Sequence, residues 1–69
     1  MATTIQLTDQ YGGYVNFTKC IVTGYINIDI LDGRTGEKKS MLVDPDDPQV
    51  MDYLKKNLQS IQLDILLGK

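Results

Sequence analysis

Polar and apolar positions alternate over the first two-thirds of the chain and then take up a helical period. In TTIQLTDQ, Ile5 and Leu7 fall on one side and Thr4, Gln6 and Thr8 on the other, as in a half-buried strand. YGGY follows, and a two-residue Gly12-Gly13 loop supplies the positive φ that tight hairpins need. With Tyr11 facing Tyr14, that loop sets Leu7 opposite Thr18 and Ile5 opposite Cys20.

The run YVNFTKCIVTGYINIDILDG is rich in β-branched and aromatic residues, and Ile26, Ile28 and Ile30 alternate cleanly with Asn27 and Asp29. The same parity carried backwards adds Val22 and Cys20 to the isoleucine face. Val15, Phe17, Ile21 and Tyr25 take the opposite face. One strand over the whole run exceeds the usual length of about three to ten residues, so a bulge or bend is expected near Lys19 or Gly24. DGRTGE then reads as a hairpin turn. Pairing Asp32 with Glu37 leaves the loop Gly33 to Gly36 and places Met41 opposite Ile28 and Val43 opposite Ile26, one apolar surface.

After Val43 the period changes. Asp47 and Pro48 form a helix start, an N-cap acceptor followed by proline at the first helical position. Val50, Met51, Leu54, Leu58, Ile61 and Ile65 then share an arc of about 100°, with Gly68 as the stop. IQLDI also alternates as a strand would, so a shorter helix followed by an edge strand is the alternative to one long helix, which is preferred. The pattern predicts an α+β fold in a single domain over 1–69: a small antiparallel sheet of three or four hairpin-connected strands with one C-terminal amphipathic helix packed across it.

The length, 69 residues, changes this picture, because chains of this size are marginally stable without reinforcement. Cys20 is the single cysteine and histidine is absent, so neither an internal disulfide nor a zinc site is available. Self-association is left as the reinforcement. It also answers to an apolar surplus: Leu63, Leu66, Leu67 and Tyr53 lie off the helix arc, and Val15, Phe17, Ile21 and Tyr25 lie off the isoleucine face. These residues, Tyr53 apart, are the expected subunit interface.

Charge and motifs exclude more than they assign. A net charge of −2 suits neither a polybasic nucleic-acid binder nor an acidic DNA mimic. The N-terminus lacks the pattern of a signal peptide and no apolar run approaches a membrane span, so the chain reads as cytosolic, with no membrane partner. DGRTGEKKS has the look of a phosphate loop without its spacing. Counted from Gly33, the second glycine position holds Lys38, and Gly36 is followed by Glu37, whose charge would oppose phosphate. Asp44, Asp46, Asp47 and Asp52 lack the glycine and glutamate of a calcium loop and serve helix capping, so no metal is expected. Without histidine there is no Ser-His or Cys-His pair, Asp29 and Asp32 have no evident pocket, and no catalytic residue or cofactor is assigned.

The expected function is therefore a non-enzymatic, homo-oligomeric binding module that engages a protein. Small motif-free chains are frequent among phage-encoded inhibitors of host enzymes or defence systems. That prior, carried by no residue, extends the expectation to inhibition and to the cytoplasm of an infected bacterial cell. The first alternative is an oligomeric sponge holding a small nucleotide-type ligand between subunits with Arg34, Lys38, Lys39 and a tyrosine, Tyr11 or Tyr25. The second is a single-stranded nucleic-acid binder stacking bases on Tyr11, Tyr14, Phe17 and Tyr25, disfavoured by the acidic balance.

Overall fold

Three hairpin reversals, rather than two and a bend, organise the strand-forming part of the chain. The computed structural model describes residues 3–68. Strands β1 (Thr3–Thr8), β2 (Tyr14–Lys19), β3 (Ile26–Leu31) and β4 (Lys38–Val43) form one antiparallel sheet in the order β1-β2-β3-β4. Helices α1 (Pro48–Asn57) and α2 (Ser60–Leu67) follow. The fold is α+β, with the C-terminal helix against the sheet, where it lies on β1 and β2.

The β3–β4 register is the one the apolar pattern predicts, with Ile28 facing Met41 and Ile26 facing Val43. The first hairpin is different. Asp9, not the glycine pair, organises it: the Asp9 carboxylate accepts from the Tyr11 and Gly13 N–H groups at 2.8 and 2.9 Å, and the Asp9 N–H donates to the Gly13 carbonyl. Gly12 takes the left-handed conformation, φ 82°. The loop is longer than two residues, so Leu7 faces Val15 and Ile5 faces Phe17. Leu7 meets Val15 in place of Thr18, three positions away, and an odd shift moves every β2 side chain to the other face.

The expected bend near Gly24 is a full reversal through Cys20–Tyr25, and the parity of the isoleucine face does not pass through it. Phe17 lies opposite Ile28 and Val15 opposite Ile30. The row Ile5–Phe17–Ile28–Met41 therefore crosses all four strands on the helix side. Phe17, expected at a subunit interface, is fully buried in the chain's own core, and Val15 is half-buried against it.

The helical segment corrects a second expectation. Asp47 caps α1 as anticipated, accepting from the Gln49 N–H at 2.9 Å. Leu58 and Gln59 then adopt extended backbone angles, which divides the helix and excludes an edge strand over 60–67. The Gln59 N–H donates to the Gln62 side chain at 3.0 Å, so α2 begins with its own reciprocal cap. Two extended residues reset the helical phase. Leu63 and Leu66 turn inward and Leu67 packs against the core, whereas Ile61 and Ile65 are 67% and 52% exposed. Leu63, Leu66 and Leu67 are thus core residues of the single chain, which removes them from the expected interface. Lys19 donates its ammonium to the Leu67 carbonyl at 3.2 Å, placing a cation at the C-terminus of α2.

Candidate functional site

The three loops divide between the two ends of the sheet. The β1–β2 and β3–β4 loops meet at one end, and the β2–β3 loop with the exit of β4 forms the other.

At the first end the contact is made by backbone. Gly13 is buried, and a side chain on it would collide with the Leu31 carbonyl and the Gly33 nitrogen. This close approach brings Tyr11 and Arg34 together, and the guanidinium lies over the Tyr11 ring at 4.2 Å from its centroid. Beside the pair is an open cleft of about 490 Å³, lined by Leu7, Val15, Ile30 and Leu31, with Asp9 and Asp32 at its rim. The Arg34 backbone N–H, foremost, and then the Thr35 groups hydrogen-bond Asp32 and hold its carboxyl below the ordinary aspartate range.

Of the five residues expected to hold a ligand, the structure brings Tyr11 and Arg34 to this cleft and leaves the other three elsewhere. Lys38 and Lys39 are consecutive on β4, so they project to opposite faces, and both border a separate depression with Asn16, Asp29 and Ser40. Tyr25 precedes β3 while Arg34 follows it, which separates them by the length of a six-residue strand, roughly 20 Å. Phe17 lies under the sheet, and the open face between the outer tyrosines carries Asn16, Asn27, Asp29 and Ser40. That arrangement makes no continuous stacking platform. The acids before α1 have local partners: Asp44 accepts from the Asp46 N–H, and Asp47 caps the helix.

At the second end a structural repetition appears. The loops Cys20–Tyr25 and Asp32–Glu37 are closed by the same bonds. Cys20 N–H donates to the Tyr25 carbonyl and Asp32 N–H to the Glu37 carbonyl, both at 2.9 Å, and Gly24 and Gly36 donate to the Cys20 and Asp32 carbonyls, both at 2.8 Å. Both glycines have φ 78°. The Thr23 and Thr35 hydroxyls each accept the backbone N–H two residues on, from Tyr25 and Glu37. Even the first positions correspond. The Cys20 thiol is lowered below its ordinary range by a hydrogen bond from the Thr23 side chain, then by the Thr23 and Val22 backbone groups, much as Asp32 is. The Thr-Gly pairs at 23–24 and 35–36 were the available signal for this repetition.

The loops differ at their tips. Where one carries Gly33 and Arg34, the other carries Ile21 and Val22, which are 65% and 87% exposed. Tyr25, in the same loop, and Leu42 on β4 are also exposed and share a shallow depression with Asp44. Val22 and Leu42 are additions to the expected contact residues, and Ile21 and Tyr25 are the members of the expected interface that stay on the surface. Among the described residues, no helix is long and apolar enough to cross a membrane. Comparison with known protein families, with characterised proteins and with solved structures finds no match to this chain.

Proposed function

We propose that this domain is a non-enzymatic binding module that self-associates and engages a protein partner through the tip of its β2–β3 loop, Ile21 and Val22, with Tyr25 and Leu42 beside it. One observation carries the reading. The two Thr-Gly loops share their backbone geometry, and the second forms it with Gly33 and Arg34 at the tip. The turn therefore does not require aliphatic side chains, yet Ile21 and Val22 stand exposed at the corresponding positions. Exposing two such side chains at a loop tip forfeits burial and gains nothing for the fold, whereas a protein surface would cover them. Tyr25 adds a rigid aromatic of the kind that anchors protein contacts.

Retention from an extract of the native source tests this. Wild-type protein and Val22→Arg are immobilised in parallel, and bound proteins are quantified by mass spectrometry. A protein retained by the first and lost from the second is expected. Equal retention by both, or nothing retained by either, would count against the loop tip as the contact.

Small-ligand capture is the second reading, favoured by the Arg34–Tyr11 stack and the apolar floor of its cleft. The two carboxylates of Asp9 and Asp32 beside one guanidinium disfavour a nucleotide-type ligand there, which ranks this reading second. Inhibition of the protein partner is part of the same proposal and rests on no particular residue.

A further inference from the structure

We infer that β4 is the edge through which two copies of this chain pair, antiparallel and about a twofold axis, joining their two sheets into one. The inference deepens the self-association in the proposed function and rests on it. β1 and β4 are the outer strands. α2 packs against β1 and β2, at the β1 side of the sheet, whereas β4 is exposed at every position except Val43. Met41 and Leu42 are exposed on its opposite faces, 41% and 65%.

The backbone polarity of β4 restricts how it can pair. In an antiparallel ladder the hydrogen-bonding residues alternate. The bond from the Asp32 N–H to the Glu37 carbonyl sets the phase, so Lys39, Met41 and Val43 turn their backbone groups toward β3. Lys38, Ser40 and Leu42 direct theirs out of the sheet. A twofold pairing that keeps the helices of both copies on one side must set these outward residues against one another, so the permitted registers differ in steps of two.

Charge selects among them. β4 begins with Lys38 and Lys39 and ends at Asp44. Setting Lys38 against the second copy's Asp44 puts Ser40 against Leu42 and Met41 against itself on the axis. Sliding one step in one direction puts Lys38 against Leu42, without a carboxylate opposite, and sliding the other way shortens the overlap. Parallel pairing in register would oppose each lysine to itself, and like charges directly opposite are destabilising. The two lysines thus reject most partners for this edge and admit an antiparallel copy of the same strand. The contact is isologous and closes at two copies, so it does not propagate into a fibre.

Two single-thiol variants test the register, with the native thiol removed from both. In Cys20→Ser/Met41→Cys, the axis brings the two introduced residues to a Cα separation of roughly 4.5 Å, within disulfide reach. In Cys20→Ser/Val43→Cys, the two thiols are offset by four residues, roughly 13 Å along the strand. Under mild oxidation the first should form a covalent dimer at least about tenfold faster than the second. Sedimentation equilibrium at low salt adds a charge test. Lys38→Glu and Asp44→Lys should each weaken association about tenfold, and the double variant should recover to within about threefold of wild type. A wild-type monomer at tens of micromolar would overturn both the pairing and the self-association beneath it. A dimer in which position 41 cross-links no faster than position 43 would overturn the pairing alone.

Discussion

Gly13 and Gly33 meet backbone to backbone. A Cβ on Gly13 would stand 2.7 Å from the Gly33 nitrogen and 2.6 Å from the Leu31 oxygen, and a Cβ on Gly33 would stand 2.5 Å from the Gly13 nitrogen. These neighbours are backbone, which cannot rotate away as a side chain such as the nearby Asp9 carboxylate can. Gly13→Ala and Gly33→Ala should therefore each destabilise by about 1–3 kcal/mol or more. Gly36→Ala meets no neighbour and only has to hold a positive φ, so its cost should be roughly 1–2 kcal/mol. Urea denaturation orders the three. The loss of the Tyr11–Arg34 stack in Gly33→Ala, followed by Tyr11 fluorescence or NMR, should accompany the larger cost.

The divided helix makes an opposed pair of predictions on adjacent residues. Leu66 is 1% exposed and Ile65 is 52% exposed. Leu66→Ala should cost about 2–5 kcal/mol by leaving a cavity, as should Leu54→Ala in α1. Ile65→Ala should cost less than about 1 kcal/mol, since a half-exposed side chain loses little burial. A continuous helix would reverse the order of Leu66 and Ile65, so denaturation midpoints separate the two arrangements.

Acid should act on Asp32 in a definite direction. Hydrogen bonds from Arg34 and Thr35 favour its charged form and depress its pKa in the folded chain. The stabilisation is therefore present at neutral pH and is lost as the carboxyl protonates, below about pH 4. In Asp32→Asn the fall in the urea midpoint over that acid range should be shallower than in wild type. Cys20 is the corresponding residue of the sister loop. Its alkylation by iodoacetamide should titrate below the ordinary cysteine range and move upward in Thr23→Val, which lacks the hydroxyl donor.

Much of this was legible in the sequence where a local signal and a cross-strand pattern agreed. The β3–β4 register follows from Ile26 and Ile28 meeting Val43 and Met41 across a glycine-bearing loop, and α1 starts where Asp47 and Pro48 say it should. The first hairpin misleads because two adjacent glycines suggest a two-residue turn, while the Asp9 side chain closes a longer one. The helix break carries neither proline nor glycine. Its signal is a capping pair of glutamines, Gln59 and Gln62, which resembles ordinary helix interior. Both misreadings shift a face, so five expected interface residues, Val15, Phe17, Leu63, Leu66 and Leu67, belong to the chain's own packing. Val22 and Leu42 become visible as surface only once those faces are assigned.

The cleft beside Tyr11 offers a direct test of the nucleotide alternative. With Asp9 and Asp32 at its rim, calorimetry at neutral pH should register no binding of ATP, NAD or a cyclic dinucleotide to the wild-type protein. Heat that disappears in Arg34→Ala/Lys38→Ala would reverse the ranking of the two functional readings. The folded state should survive that double substitution with little change, because both side chains are exposed.

The claim on which the account turns is that Ile21 and Val22 serve a partner and not the fold. The most direct measurement compares wild type with Ile21→Ser/Val22→Arg, which removes both aliphatic side chains and places an arginine where the sister loop has Arg34, for both urea stability and retention of the partner. Stability within about 1 kcal/mol of wild type together with loss of the partner is the predicted result. A variant that unfolds as readily as Leu54→Ala, or one that keeps the partner at undiminished level, would contradict it.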